Sequence, residues 1–296
     1  MLLETTLLFK TMLILSAQIG IVFGLAYFCI FKARKAYETN TKFFGMSFRA
    51  AMNMKRDLDL VPFIEPPKEF PIKMKKQVEE KFNEETKSID KAHTISKEAN
   101  SREEVLELMG DGYYYGHGGD GIVQLFAIWA ITLFATTFYA TSGISIVTGM
   151  TLFTIQSLAM GFLLGIIMLE MDENDGIKAL KLVLLITILA GFIGYSDIYS
   201  FAENMILQVV LLFALLGMII FSLIRNFMAF SRQAIRIKAI FGAFLWCLFL
   251  LVDFNILKKQ SGLGNNNWDT AFEIAFTIYL DMINLLLEIL DAMSNS

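Results

Sequence analysis

The chain has 296 residues, 55% of them hydrophobic, and a mean hydropathy of +0.56. This composition excludes an ordinary soluble domain, because the apolar residues lie in runs of about twenty, enough to cross a hydrocarbon core of roughly 30 Å. The net charge of −4 is uninformative, since residues 32–121 hold 16 of the 25 Lys and Arg and 16 of the 29 Asp and Glu. These features predict an all-α, polytopic membrane protein with one polar insert.

The first predicted transmembrane helix covers about Leu7 to Phe31, within a first unit at 1–31. Its acidic start and the lack of a cleavage site or an Arg-rich transit pattern indicate that it is retained. Gly20 and Gly24 form a small-xxx-small pair, which would let another helix approach closely. The alternative is that glycine is simply common in membrane helices.

The polar insert, 32–121, opens with a basic segment that includes Lys32, Arg34 and Lys35. Such a segment marks the cytoplasmic or matrix side of a membrane, and it attracts anionic lipid headgroups. We expect it to act either as a solvated topology signal or as a contact for anionic lipids. Within it, FFGMSFRAAM has the pattern of a short interfacial helix.

The middle of the insert is rich in proline and then in charge. Its four prolines predict extended chain. KMKKQVEEKFNEETKSIDKAHTISKEANSREEVLELM is predicted to be a charged helix, either docked on a partner protein or partly disordered, so the insert at 57–115 is a candidate partner site. GDGYYYGHGGDG closes the insert as a linker. His93 and His117 lack cysteine companions, so zinc is not expected. The four prolines are Pro62, Pro66, Pro67 and Pro71.

Six more membrane helices are predicted in the unit at 122–296, which gives seven in all. Their short connections predict an antiparallel, up-and-down bundle. Basic residues on the insert side place the insert and the C-terminus inside by the positive-inside rule. The six helices are expected at about 122–141, 148–170, 178–196, 203–225, 236–256 and 270–292.

Two aspartates lie deep inside the last two apolar segments: Asp253 near the end of one, and Asp281 at the centre of the other. An ionisable residue at the centre of a membrane helix costs roughly 2.5–3.5 kcal/mol on insertion scales, which makes it a functional candidate. If the two carboxyl groups meet, they must share a proton, and they would form a pH-sensitive gate or a set of hard ligands for Ca²⁺. Alternatively, each aspartate bonds backbone groups near a helix end.

The last helix carries further polar residues. Asp281 and Glu288 are seven apart and share a face, Asn284 follows Asp281 by one turn, and Glu273 lies roughly 80° away by helical geometry. A helix with several acids cannot face lipid all round, so it should be central or line a water-filled path. No enzyme motif, nucleic-acid motif or paired cysteine accompanies these residues, so neither catalysis nor a resident cofactor is expected.

These segments resemble the transmembrane Bax inhibitor motif family over about residues 148–292. LFLLVDFNILKK is similar to the sixth-helix signature of that family, and IYLDMINLLLEIL to its last-helix signature, which Tyr279, Asp281 and Asn284 match. MTLFTIQSLAMGFLLG is similar to the third-helix pattern, and KALKLVLLITILAGFIGYSDIYSF to the fourth helix and its loop. The sequence departs from the family pattern at Val252, where a tyrosine is usual. It also departs in having no basic residue in 122–142, and in its long insert.

The resemblance implies a seven-helix fold with a central last helix. It also implies a Ca²⁺ leak or Ca²⁺/H⁺ exchange governed by a di-aspartyl pH sensor, which maps onto Asp253 and Asp281. Ca²⁺ would then be the transported ion. The three departures favour another function: a non-conducting accessory subunit of a larger membrane assembly, such as a mitochondrial respiratory complex, docked through the insert. The mitochondrial inner membrane is the expected location, with the endoplasmic reticulum and the bacterial plasma membrane as alternatives.

Overall fold

The computed structural model describes residues 5–43, 46–52, 58–63, 70–78, 82–83, 88–89, 93–115, 120–142, 145–170, 173–225, 228 and 230–294. In these residues the chain forms α-helices and short antiparallel strands. The helices are α1 (Leu7–Glu38), α2 (Arg102–Gly110), α3 (Asp120–Ser142), α4 (Ile146–Glu170), α5 (Glu173–Tyr195), α6 (Met205–Arg225), α7 (Arg232–Gly262) and α8 (Trp268–Ser294). The strands are β1 (Ser47–Met52), β2 (Leu58–Phe63), β3 (Ile72–Val78), β4 (Phe82–Asn83), β5 (Ser88–Ile89), β6 (His93–Ala99) and β7 (Tyr114–Tyr115).

Every apolar segment expected to be a helix is one, and the protein is a multi-pass membrane protein of the all-α class. Within the described residues, α1, α4, α5, α6 and α7 are each long and apolar enough to cross a membrane. In α3 the apolar helical part is the shorter stretch Leu125–Ala140. α8 carries five acidic residues along its length, which lowers its hydropathy.

Side-chain contacts at the two ends of the bundle show that α1 and α8 begin at the same end, whereas α7 runs antiparallel to α8. At one end, Lys10 near the start of α1 donates through Nζ to the carbonyl of Asn266, just before α8, at 2.8 Å. At the other end, the start of α7 meets the last turns of α8, where Lys238 pairs with Glu288. We call the first the loop end. The second is the insert end, because α1 finishes and α3 begins there.

α8 supplies much of the main hydrophobic core. It contacts α1, α3, α4, α5 and α7. Phe272, Phe276 and Tyr279 meet the ring of Phe153 on α4 edge-on, with centroids 5.9, 5.1 and 4.8 Å apart. These edge-to-face contacts add to the burial of the rings and lock the rotation of α8 against α4.

Helices approach each other closely at glycines other than the two that were expected on α1. Nothing lies within 4 Å of a methyl group placed on Gly20 or Gly24. The prediction that another helix of the chain packs closely against these glycines is therefore wrong. The tight contact is made from the opposite helix: a methyl group on Gly165 of α4 would lie 2.6 Å from the Cβ atom of Cys29 on α1. Gly20 and Gly24 are exposed, which agrees with the alternative that they are ordinary membrane-helix glycines.

The start of the insert differs from its prediction. α1 continues past Phe31 to Glu38, so Lys32, Arg34 and Lys35 lie on its last turns. The reason is that Ala33 and Ala36 are buried in the main core together with Phe48 of β1, which extends the packed face of the helix. The expected interfacial helix is instead β1, which pairs antiparallel with β2.

The charged segment is likewise mostly strand where it is described. β3 pairs antiparallel with β6, and only α2 is helical. Successive side chains of a strand point to opposite faces, so every second residue of β3 and β6 can be buried on one face of the strand pair. Met74, Ala99, Val105 and Tyr113 form a small core of their own, and Lys76 and Lys97 cover the Tyr113 ring at 5.5 and 5.3 Å. The expected extended chain is seen at Pro62 in β2, whereas Pro66, Pro67 and His117 lie outside the described residues.

Candidate functional site

Two carboxyl groups meet in the interior of the bundle. Asp253 on α7 and Asp281 on α8 are close enough to interact electrostatically, and only 7% and 6% of their surfaces are exposed. One oxygen of each group, Oδ2, is buried with no hydrogen-bond partner among the described residues. Because two neighbouring carboxylates in a buried site repel each other, this arrangement favours one proton shared between them.

A cavity of about 210 Å³ reaches Asp253 from the loop end of the bundle. Its wall is unusually polar for a membrane helix pair, and Glu273 and Thr277 are exposed where it borders the surface. The cavity is large enough for several water molecules, each of which needs about 30 Å³ in the liquid. It therefore gives water or a hydrated cation a route to the buried pair. Its lining residues are Asp253, Ile256, Gln260, Thr270, Glu273, Ile274 and Thr277.

The polar residues of α8 follow one stripe along the helix. At 100° per residue they all fall within roughly 80° of arc, and they are spaced by three or four residues. The stripe faces α7 at the cavity, at the aspartate pair and at Glu288, and it faces α6 where Asp291 meets Arg225 at 3.0 Å. It thus runs from the loop end to the insert end. Its members are Glu273, Thr277, Asp281, Asn284, Glu288 and Asp291.

Glu288 is part of the stripe but does not join the aspartate pair. Its Oε1 accepts a hydrogen bond from Lys238 Nζ of α7 at 2.5 Å, and both side chains are nearly buried, with 12% and 13% of their surfaces exposed. Its Oε2 is buried with no partner among the described residues. Glu288 was named as a candidate from the sequence, whereas Lys238 was only one of the basic residues used to orient the chain. The signal that could have suggested the pair is that Lys238 is the last basic residue before the long apolar run of α7.

The other expected residues are placed differently. Tyr279 faces away from the aspartate pair, toward α4, where its ring meets Phe153, and within the described part of the chain its hydroxyl has no hydrogen-bond partner. Asn284 is half-buried on the stripe, between Asp281 and Glu288. Glu273 lies at the cavity with Asp253. The structure therefore brings Asp253 close to Asp281, places Glu273 on the same cavity as Asp253, and keeps Tyr279 apart.

Asn255, two residues after Asp253, holds the site to the rest of the bundle. Its amide donates to the carbonyl of Gly194 at 3.1 Å and to Asp197 Oδ1 at 3.0 Å, and its oxygen accepts from the N–H of Ala202 at 3.0 Å. The side chain is fully buried. These bonds join α7 to the α5–α6 loop and fix the rotation of α7, and with it the direction of the Asp253 carboxyl group. Asn255 lies in the segment LFLLVDFNILKK that resembles the sixth-helix signature, but the sequence did not reveal its hydrogen-bond partners.

The same loop predicts a weak pH dependence of stability. Hydrogen bonds from Lys259 and Ser200, together with the charge of Lys259, lower the pKa of the exposed Glu203 carboxyl below its ordinary value of 4.5. A lowered pKa means that the ion pair stabilises the fold above pH 4.5 and that this contribution is lost as the pH falls through the folded-state value. We expect the melting temperature in detergent to drop slightly more below pH 4.5 for the natural protein than for Glu203→Gln. Equal drops in the two proteins would contradict this assignment.

No family model matches the chain, and no curated protein matches it. The site is therefore defined by its own geometry. A buried pair of carboxyl groups lies in the interior of a membrane bundle, beside a polar cavity that opens at one end and on a polar stripe that continues toward the other.

Proposed function

We propose that this protein moves cations across a membrane, with Ca²⁺ as the transported ion and with protons as the controlling or exchanged ion. The observation that carries the proposal is the buried Asp253–Asp281 pair beside the polar cavity. Buried carboxyl groups are costly in a membrane helix, and they characteristically mark ion or proton pathways. The resemblance to the Bax inhibitor motif family points to the same pair.

The chemistry of the pair couples the two ions. While the carboxyl groups share one proton the pair carries a single negative charge, and the two groups lie together in the space that an ion would enter. Loss of that proton leaves two carboxylates that repel each other and attract a divalent cation. Protons and Ca²⁺ therefore compete for the same oxygens. Flux should be lower at pH 6 than at pH 8.

Ca²⁺ needs about six to eight oxygen ligands. Within the described residues no group of three or more His, Cys, Asp or Glu side chains could hold a metal ion, so the pair alone cannot complete the shell. We propose that the polar side chains of the cavity, such as Gln260 and Thr277, and water molecules provide the remaining oxygens. A partly hydrated shell suits a site that must release its ion.

In this proposal all seven long helices cross the membrane, α8 is the central helix, and the protein is not an enzyme. Asp281 and Glu288 of the α8 stripe are then shielded from lipid by the neighbouring helices, as buried polar residues in a membrane require. By the positive-inside rule, the basic end of α1 favours the cytoplasmic or matrix side for the insert end, where Lys32, Arg34 and Lys35 would contact anionic lipids. We favour the mitochondrial inner membrane among the membranes considered.

The test is Ca²⁺ uptake by liposomes that contain the purified protein, with a Ca²⁺-sensitive dye inside and pH 6 or pH 8 outside. We expect uptake above that of empty liposomes and several times faster at pH 8. Uptake independent of pH would contradict the role of the shared proton. No uptake by a monodisperse, folded protein would contradict transport itself.

A second candidate function is that of an accessory subunit in a larger membrane assembly. The observation that favours it is the small core of β3, β6 and α2, which is separate from the core of the bundle and suits a peripheral docking module. Because β1 and β2 pack on the bundle, the sharpest test deletes 72–115 and keeps that hairpin. If docking is the function, the deletion should release the protein from native high-mass complexes while it stays folded. If transport is the function, Ca²⁺ uptake should survive the deletion.

A further inference from the structure

The polar stripe of α8 does not end at the aspartate pair. Glu288 lies seven residues beyond Asp281 on the same face, roughly 10 Å further along the axis toward the insert end. Asn284 stands between them as a half-buried polar residue. A cation that leaves the pair in this direction would meet the Glu288 carboxyl group next. This argument rests on the proposed transport function and extends it to the inner half of the bundle.

The surroundings of Glu288 are those of a small, nearly enclosed ion site. Lys238 Nζ contacts Oε1 at 2.5 Å, whereas Oε2 is buried without a hydrogen-bond partner among the described residues. α7 can approach this carboxyl group closely because residue 242 is glycine: a methyl group there would lie 2.6 Å from the Glu288 carboxyl carbon and 2.6 Å from the terminal methyl of Met218. The site is thus packed from both α6 and α7 and holds one ammonium group.

We infer that Glu288 is a second cation-binding residue on the path and that Lys238 occupies it as a tethered counter-ion, which closes the insert end. An ammonium group on its own flexible stem satisfies a carboxylate much as a transported cation would. The path conducts when Lys238 leaves Glu288 and an incoming ion takes its place. Its two carboxylate stations are then the Asp253–Asp281 pair near the middle and Glu288 near the insert end.

The experiment measures Ca²⁺ uptake at pH 8 for full-length variants in liposomes. Lys238→Met removes the tethered cation and keeps the stem length, and we expect it to raise uptake about tenfold. The double variant Lys238→Met with Glu288→Gln removes the station as well, so its uptake should be no higher than that of the natural protein. The exchange Lys238→Glu with Glu288→Lys rebuilds the pair in reverse and should restore low uptake. The control is Lys181→Met, an exposed lysine near the start of α5, which should change nothing.

The results separate this inference from the proposed function. If Lys238→Met transports no faster than the natural protein while Asp281→Asn abolishes the natural uptake, the closing role of Lys238 is wrong and the transport proposal survives. If the double variant is as fast as Lys238→Met, the ion pair is only a structural brace and Glu288 is not a station. If no variant transports Ca²⁺, the transport function and this inference both fail. Gel filtration and melting curves show which variants are folded, and the neutral double variant tests Glu288 without an unpaired buried charge.

Discussion

Asp281→Asn is expected to reduce Ca²⁺ uptake at least tenfold and to remove its dependence on pH. The substitution preserves shape and lets the introduced amide donate to Asp253, so the helix contact survives. It removes one of the two charges that would bind the ion, and it removes the shared proton that makes the pair respond to pH. Uptake at pH 6 and pH 8, with the dye inside liposomes, gives both effects in one measurement.

The fold should not suffer from this change. Replacing a member of a buried ionisable pair by a neutral group of the same shape is commonly neutral or stabilising, so the melting temperature in detergent should stay the same or rise. The matched control is Asp269→Asn, an exposed acid at the start of the same helix, which should leave both uptake and stability unchanged. Uptake that persists in Asp281→Asn, with its pH dependence intact, would remove the aspartate pair from the mechanism.

Gly194→Ala should cause the largest loss of stability among single-methyl changes, by about 2–3 kcal/mol. The added methyl group would lie 2.5 Å from the carbonyl oxygen of Leu251 and 2.9 Å from the Cβ atom of Phe254. A backbone oxygen in a helix cannot move aside as a flexible side chain can, so α5 and α7 must separate. That separation also weakens the hydrogen bond from the Asn255 amide to the Gly194 carbonyl. Asn255 lies two residues after Asp253, so the site is affected as well.

The measurement is thermal unfolding in detergent, where the melting temperature should fall by roughly 5 °C or more. Gly217→Ala is the control: this glycine is also inside a helix, but nothing lies within 4 Å of the added methyl group. It should leave the melting temperature unchanged or slightly higher, because alanine favours the helix. Similar results for the two variants would mean that α5 and α7 are not packed as the structure shows.

Much of the membrane fold follows from the sequence because a bilayer imposes one strong rule. Backbone groups in hydrocarbon must bond within their own segment, so a long apolar run has to be helical. Hence each of the seven apolar runs is a helix. The observed helix ends differ from the predicted ends where tertiary contacts extend a helix. α1 gained its last turns from Ala33 and Ala36 packing against β1, and α7 continues to Gly262, where Lys259 pairs with Glu203 at 2.7 Å.

The insert shows where such reasoning failed. The Lys and Glu spacing of the charged segment resembled a helix, but in water both a helix and a hairpin can satisfy their backbone, so composition alone does not choose. The choice was made by a handful of apolar residues, among them Met74 and Ala99 on paired strands. Their burial depends on partners distant in sequence, Val105 and Tyr113, which local periodicity cannot reveal.

The sequence by itself determined that Asp253 and Asp281 lie inside apolar helices, because a carboxyl group in such a run is visible without any structure. Only the tertiary structure decided what each acid meets, since the partner of a buried charge depends on helix rotation as well as helix position. Packing against Phe153 turns Tyr279 away from the pair, and the Asn255 bonds aim Asp253 at α8. The same packing directs Glu288 to Lys238. Helix formation is local, whereas the pairing of buried charges is a property of the assembled bundle.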